Sequence, residues 1–271
     1  MPELPEVETT RRGLAPLVTG QRVKSVAIRN RALRLPVPRA LPRLIGGATI
    51  RGLARRGKYL LFDCGAGTLI LHLGMSGNLR VLPADTPRVK HDHYDLLLDD
   101  ARTLRFNDPR RFGCCLYTEE PVEQHRLLRS LAPEPFAAAF GADYLHRVTR
   151  RRKVAIKLLI MNGQLVTGVG NIYASEALFR AHLRPRRSAR SLSLAECAAL
   201  VRSIKRVLQQ SIKSGGTTLR DYTNAEGNPG YFRQRLYVYE RAGDPCRRCR
   251  APIRQFTQGQ RSTYWCATCQ H

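Results

Sequence analysis

Four cysteines near the end of the chain constrain its fold more than any other feature of the sequence. Cys246 and Cys249 form one Cys-x2-Cys pair, and Cys266 and Cys269 form a second after sixteen intervening residues. Two such pairs at this separation are typical of a tetrahedral zinc site with four thiolate ligands. The intervening residues fit a two-stranded hairpin that turns at 258–260. So short a segment cannot bury a core of its own, so we expect one structural Zn²⁺ to supply its folding free energy.

The charge of the chain points to a polyanionic partner. Lys and Arg number 46 against 21 Asp and Glu, which gives a formal net charge of +25. Such an excess repels itself in a compact state and is typical of proteins that bind nucleic acid. Hydrophobic residues make up 43% of the chain, enough for folded domains, which excludes a disordered basic tail as the entire protein.

Two features of the sequence argue against a membrane partner and against export. The sequence contains no run of about 18 apolar residues that could cross a bilayer. Its start carries Glu3, Glu6 and Glu8, where a secretory signal would carry positive charge and then an apolar stretch. We therefore expect a cytoplasmic protein.

The spacing of apolar residues changes along the chain and predicts an α+β protein. A helix is expected over 5–17, because a proline and acidic residues suit a helix start. Over 22–118 the apolar residues alternate, and Gly, Pro and Asp turns separate about eight short strands. Helical spacing follows later, with Ser193 and Glu196 as a capping box. The predicted divisions are an N-terminal β-sandwich domain that includes the first helix (1–132), a linker (133–142), a helical domain (143–235) and the zinc hairpin (236–271).

Two segments of the helical domain are candidates for DNA contacts. Helices are predicted over 152–161 and 171–181, and two glycines precede Asn171 at the start of the second. A helix start with exposed backbone N–H groups favours an anion, so a phosphate could lie there, although a plain tight turn explains the glycines equally well. The loop over 214–232 has four glycines and no periodicity, which is typical of a functional lid.

The N-terminus offers an unusual nucleophile. Removal of Met1 would leave Pro2 as a free secondary amine, whose pKa near ~8 keeps more of it neutral than a lysine. Condensed with a sugar C1′, this amine would form an iminium ion that has no N–H proton to lose. Glu3 beside it could transfer a proton, and Glu6 on the same small surface is a candidate substrate contact. Taken alone the motif is weak, because acids at a helix start also suit the helix dipole.

Seven sequence blocks in order resemble the formamidopyrimidine-DNA glycosylase family, the bacterial base-excision repair enzymes for oxidised purines. The resemblance extends over the entire chain. The blocks are MPELPEVETTRRGL at the start, RGKYLL (56–61), HLGMSG (72–77), KHDHYD (90–95), DPRRFG (108–113), GVGNIYASE (168–176) and the four-cysteine hairpin.

This resemblance implies a role for four residues in catalysis. Pro2 would displace the damaged base and form the covalent iminium, and Glu3 would be the proton donor that helps to open the sugar ring. Lys58 would serve β-elimination, and Arg261 in the hairpin turn would serve δ-elimination. The expected product is a one-nucleotide gap with phosphate at both ends. A cation at positions 58 and 261 suits both steps, because each expels a phosphate.

The resemblance also implies a set of DNA contacts. Extrusion of the damaged base leaves a hole in the duplex, and by resemblance three residues would fill it: Met75, Arg110 and Phe112. Three further residues would contact the DNA backbone: His91, Arg152 and Asn171. The match to Arg152 depends on counting back through four consecutive basic residues, so its register is open. The implied partner is double-stranded DNA with oxidised purines or abasic sites, bound by a monomer at the bacterial nucleoid.

Two other interpretations fit part of the sequence. A related family that resembles endonuclease VIII uses the same Pro–Glu chemistry on oxidised pyrimidines. A zinc-containing DNA-binding protein without catalysis would explain the charge and the cysteines, but it would leave Pro2 and Glu3 without a role.

Overall fold

The computed structural model describes residues 2–216 and 236–271, and every structural statement below concerns those residues. Most of the lid predicted over 214–232 lies outside them. Among the described residues, no helix combines the length and apolar character that a bilayer span requires.

The chain divides into two units. The first comprises the described parts of Met1–Arg129 and Ile212–Arg233. The second comprises Ser130–Ser211 and the described part of Gln234–His271. The finer domain boundaries stay a prediction.

The first unit is the predicted β-sandwich. Two antiparallel four-stranded sheets have the strand orders β1-β6-β7-β5 and β2-β3-β4-β8. All eight strands lie within the range 22–118, where the alternating pattern predicts about eight strands. Their bounds are β1 (Val23–Ile28), β2 (Gly52–Arg56), β3 (Tyr59–Asp63), β4 (Thr68–His72), β5 (Asn78–Pro83), β6 (Asp92–Leu98), β7 (Arg102–Asn107) and β8 (Cys114–Thr118).

The helix α1 (Leu4–Val18) packs against this sandwich, and its bounds confirm the prediction to within one residue. Its buried apolar residues Val7, Leu14 and Val18 belong to the same core as residues of both sheets. A second helix, α2 (Leu41–Ile45), was not predicted. Three prolines in and before it conceal its helical spacing, and it has only five residues.

The second unit is helical, as predicted. The helices of this unit are α3 (Ala142–Thr149), α4 (Ile156–Ile160), α5 (Asn171–Arg180) and α6 (Leu194–Lys213). The long helix α6 begins with the predicted capping box, because the Ser193 N–H donates to Glu196 Oε2 at 2.8 Å and the Glu196 N–H donates to Ser193 Oγ at 3.2 Å.

The helix predicted over 152–161 is wrong in its first turn. The residues before Ile156 instead pair with the segment after Pro185: the Ile156 N–H donates to the Arg187 carbonyl at 2.8 Å, and the Arg190 N–H donates to the Arg152 carbonyl at 3.0 Å. This pairing satisfies backbone groups that a helix would otherwise satisfy internally. The preceding helix α3 was not predicted.

The zinc hairpin consists of β9 (Ile253–Gln258) and β10 (Arg261–Cys266), joined by Gly259 and Gln260. Both turn residues have positive φ, 55° and 58°, as a type I′ turn requires. The turn is thus one residue shorter than predicted, and Arg261 is the first residue of β10. A side chain at Gly259 would place its Cβ 2.8 Å from Leu158 Cδ2, so the turn lies directly against α4.

Candidate functional site

The N-terminus is held at the start of α1 by two carboxylates. The Glu3 N–H donates to Glu6 Oε2 at 2.9 Å, and the Glu6 N–H donates back to the Glu3 side chain, which completes a capping box. Both carboxylates are only 2% exposed, and Pro2 is buried immediately before them. Glu6 therefore fixes the backbone that carries Pro2 and Glu3, and its role as a substrate contact stays a prediction.

Glu8 connects this helix to β2. Its carboxylate accepts hydrogen bonds from Arg55 at 3.0 Å, from Arg11 at 2.9 Å and from Arg12 at 2.8 Å. Burial works to raise the pKa of Glu8, but the three guanidinium groups prevail and lower it to about 2. Because β2 leads directly into the turn that carries Lys58, the salt bridge from Glu8 to Arg55 joins α1 to that hairpin.

Lys58 lies in the two-residue turn between β2 and β3, after Gly57 with a φ of 58°. Gly with positive φ at the first position is the pattern of a type II′ turn. His72 lies near it, and its pKa is lowered to about 4 by burial and by the positive charges of Lys58 and Arg34. His72 Nδ1 accepts the Gly74 N–H at 2.9 Å, so a neutral imidazole with its proton on Nε2 accompanies Lys58. His72 begins the block HLGMSG, but it was not predicted as a site residue, because the sequence does not show that it lies near Lys58.

The predicted hole-filling residues lie on two loops that meet backbone to backbone. A Cβ on Gly74 would lie 2.4 Å from the carbonyl carbon of Phe112. Asp108, fully buried, fixes both loops: it accepts Ser76 Oγ at 2.6 Å and the Gly113 N–H at 2.8 Å.

These loops present Met75, Arg110 and Phe112 on the first unit. Met75 is half-buried, Arg110 is exposed, and Phe112 is 43% exposed although it is aromatic. The Arg110 guanidinium lies 5.3 Å above the centre of the Phe112 ring. His91 joins the group through Asp108, whose N–H donates to the His91 carbonyl at 3.1 Å. The structure therefore brings these four predicted DNA contacts together.

In the second unit, Asn171 lies beside the hairpin turn. Its Nδ2 donates to the Ser262 carbonyl at 3.0 Å, while its buried Oδ1 has no hydrogen-bond partner among the described residues. Lys157 donates to the same carbonyl at 3.2 Å and to Thr263 Oγ1 at 2.7 Å. The start of α5 and the exposed Arg261 are thus held at one end of the hairpin. Lys157 was not predicted to have this role, although a lysine between apolar residues can signal a buried cation.

The basic run before α4 offers more than one DNA contact. Arg150 donates to the Leu192 carbonyl, which ties it to the protein. Arg152 is exposed and donates one N–H to the Val148 carbonyl at 2.6 Å. Arg152 as a DNA contact stays a prediction.

The four cysteines have the arrangement that a metal requires. Their Sγ atoms all lie within 4.8 Å of one another, with 3.4 Å between Cys249 and Cys266 and 4.0 Å between Cys246 and Cys269. A tetrahedral zinc with Zn–S bonds of about 2.3 Å needs sulfur atoms roughly 3.8 Å apart. The Ala251 N–H lowers the pKa of Cys249 to about 7, which favours the thiolate that binds metal. The sulfur cluster therefore fits the predicted zinc.

Comparisons with known proteins agree with this architecture. Family models for the formamidopyrimidine-DNA glycosylase N-terminal domain, its H2TH domain, and a zinc finger found in FPG and IleRS match residues 1–115, 131–223 and 243–271. The formamidopyrimidine-DNA glycosylase of Thioalkalivibrio sulfidiphilus is 56% identical over 270 residues, which cover 100% of both chains. That of Methylococcus capsulatus is 54% identical, again over 100% of both.

Solved structures show the same fold. The Thermus thermophilus FPG protein is 41% identical with a TM-score of 0.90, over 99% of this chain and 98% of that one. A variant of the Lactococcus lactis enzyme in complex with DNA that contains Fapy-dG is 35% identical with a TM-score of 0.93, over 99% of both.

Fold, charge and these DNA-bound neighbours define a DNA glycosylase that acts on damaged DNA in base excision repair. The chain belongs to the formamidopyrimidine-DNA glycosylase family, which confirms the resemblance found in the sequence. The family combines glycosylase with abasic-site lyase activity, so the interpretation as a DNA-binding protein without catalysis is wrong.

Proposed function

We propose that this enzyme excises oxidised purines, such as 8-oxoguanine and formamidopyrimidines, from duplex DNA through an iminium at Pro2, and then cleaves the strand by β,δ-elimination. The observation that carries the proposal is the capping box at the start of α1. It fixes Pro2 and Glu3 as one rigid pair, so the amine and the proton donor keep a constant relation to each other.

The first step joins the Pro2 nitrogen to C1′ of the damaged nucleotide while the bond from C1′ to the base breaks. The base leaves with the electron pair of that bond and takes up the proton that the nitrogen loses. Glu3 gives its proton to the ring oxygen O4′, the ring opens, and the nitrogen becomes an iminium. Because this nitrogen carries no proton, the cation persists and withdraws electrons from C2′.

The second step uses that electron demand. Loss of a proton from C2′ expels the 3′ phosphate, and a second elimination expels the 5′ phosphate. We assign the departure of the 3′ phosphate to Lys58. Because the adjacent His72 is neutral, Lys58 supplies the positive charge that this phosphate needs. We assign the second to Arg261, exposed at the end of the hairpin. This assignment requires that both units engage one DNA molecule.

DNA distortion is the role we assign to the exposed loops. Phe112 and Met75 would enter the stack, and Arg110 would pair with the base that lost its partner. His91, Arg152 and Asn171 would hold phosphates. Zinc would be structural. The enzyme would act as a monomer on double-stranded DNA, at the nucleoid in the bacterial cytoplasm.

Borohydride trapping on an oligonucleotide with 8-oxoguanine opposite cytosine tests the covalent step. The protein should give a stable adduct, and Pro2→Gly should give much less of it, because the imine of a primary amine loses its proton and is then reduced more slowly than a permanent iminium. Glu8→Gln, also in α1 but outside the capping box, serves as the matched control and should retain the adduct. If Pro2→Gly forms as much adduct as the parent protein, the proposed nucleophile is wrong.

A second measurement tests the substrate class. Excision rates on 8-oxoguanine and on thymine glycol should favour the purine. Since one structural neighbour holds an oxidised pyrimidine, some activity on thymine glycol is compatible with the proposal. A clear preference for thymine glycol would overturn it.

A further inference from the structure

A pocket of about 370 Å³ lies in the second unit, between the segment 184–186 and the face of the hairpin. Three arginines line it, Arg184, Arg186 and Arg254, together with Phe256 and Trp265. Among the described residues, no carboxylate lines this pocket and none pairs with Arg186 or Arg254. The pocket is thus strongly cationic with an aromatic floor, and its size suits one large side chain or a small ligand.

The aromatic rings hold two of the guanidinium groups in place. Arg186 lies 4.0 Å above the Phe256 ring and Arg184 lies 5.6 Å above that of Trp265. Arg184 also donates to the Gln270 carbonyl at 3.1 Å. A guanidinium stacked in this way keeps its N–H edge available for a carboxylate or phosphate. The two rings meet edge to face, with centroids 6.4 Å apart.

The pocket lies at the end of the hairpin opposite Arg261. Arg254 pairs with Trp265, four positions from the pair of Gln258 and Arg261, a distance of about 13 Å along the strand. The groups assigned to the lesion duplex therefore lie at the turn of the hairpin, and the pocket lies toward its open end.

We infer that this pocket docks an acidic peptide segment of a protein partner, one that carries an aromatic or large aliphatic residue. The carboxylates would pair with the guanidinium edges of Arg186 and Arg254, and the apolar residue would lie on Phe256, Trp265 and Pro185. A nucleic-acid occupant is disfavoured because the pocket lies toward the open end of the hairpin, about 13 Å along the strand from the pair that includes Arg261. Only the use of Arg261 and Asn171 to mark the DNA end rests on the proposed function.

Fluorescence anisotropy with a synthetic probe tests the inference without any measurement of activity. The probe is a labelled peptide of Asp and Gly that ends in Phe, titrated with the full-length protein. Arg254→Glu should weaken its binding at least about tenfold, and Phe256→Ala at least about threefold. The matched control is Arg202→Glu, an equal charge change at an exposed position of α6, which should alter binding less than about twofold.

Two further measurements distinguish binding of the probe in the pocket from general charge attraction and from binding at the DNA site. A peptide with Ser in place of Phe should bind about threefold more weakly or worse, and saturating duplex with an abasic-site analogue should leave the probe bound. If Arg202→Glu weakens the probe as much as Arg254→Glu does, attraction is nonspecific and the inference fails. Displacement by a single-stranded thymidine oligonucleotide that itself needs Arg254 would make the pocket a nucleic-acid subsite and would equally overturn it.

Discussion

The core of the sandwich contains buried residues of α1 and of both sheets. The core shared by the hairpin and α5 is smaller and contains five buried residues among those that the structure describes. The hairpin compensates with polar and metal contacts. Glu176 on α5, 1% exposed, accepts the N–H groups of Tyr237, Val238 and Tyr239 at 2.8–3.0 Å. Hydrophobic burial therefore positions the residues around Pro2, while one buried carboxylate and the four cysteines that would hold a metal position the hairpin that carries Arg261.

Zinc removal should reveal this difference most strongly. Cys249→Ser should lose bound metal and weaken DNA binding at least about 100-fold, while the sandwich stays folded. Zinc content, anisotropy with labelled duplex and circular dichroism would measure the three effects. Cys197→Ala, a buried cysteine outside the cluster, is the control and should keep metal and affinity. Unchanged affinity in a zinc-free protein would contradict the comparison.

Glu176→Gln should produce the next largest effect. The amide keeps one oxygen for these N–H groups, but it loses the negative charge and turns an NH2 group toward the Tyr237 N–H, which costs about 2–4 kcal/mol in the second unit. Thermal unfolding should show a destabilised second unit with the sandwich unchanged. The control Asp143→Asn changes an exposed acidic residue of α3 and should change the stability of neither unit. Equal losses of thermal stability from both variants would show that Glu176 stabilises the second unit no more than an exposed acidic residue does.

Acid should loosen the sandwich through Glu8. Its pKa is about 2 in the folded protein and 4.5 when unperturbed, so the unfolded state binds more protons between these values. The stabilisation is therefore complete above about pH 4.5 and is lost as pH falls toward 2, by up to about 3 kcal/mol. Urea unfolding of the sandwich as a function of pH would show it, and Glu8→Gln should flatten that part of the profile. A profile identical in both proteins would refute the role of Glu8.

A smaller effect is expected in the hairpin turn. Gly259→Ala must adopt a φ of 55° and also meet Leu158, so we expect a loss of about 1–2 kcal/mol. Gly243→Ala shares the positive φ but has open space around its Cβ, so it measures backbone strain alone. The difference between their melting temperatures reports the contact of the turn with α4. If the two variants melt together, that contact contributes nothing.

The sequence predicted the sandwich well because alternating apolar residues and turn residues are local signals. Seven of its eight strands begin and end within three residues of a Gly, Pro or Asp, and the cysteine spacing is equally local. The extended residues before Ile156 were missed for the opposite reason. Their conformation depends on backbone bonds to Arg187 and Arg190, more than thirty residues away.

The candidate site shows the same division. Pro2, Lys58 and the cysteines stand in recognisable motifs, and the structure places them on turns or termini as expected. Glu176 and His72 lie in two of the sequence blocks, but no role was predicted for either, because their importance comes from the groups packed around them. Whether Arg152 is the DNA contact in its basic run is still a prediction, since four adjacent cations look alike in a sequence.

The close approach of Gly74 to Phe112 has a kinetic consequence. With 2.4 Å between a notional Cβ and the Phe112 carbonyl carbon, and with Asp108 bonded to both loops, neither loop can advance without the other. If Met75 and Phe112 enter the duplex as proposed, they would therefore enter it as a single wedge, in one insertion event rather than in two successive ones.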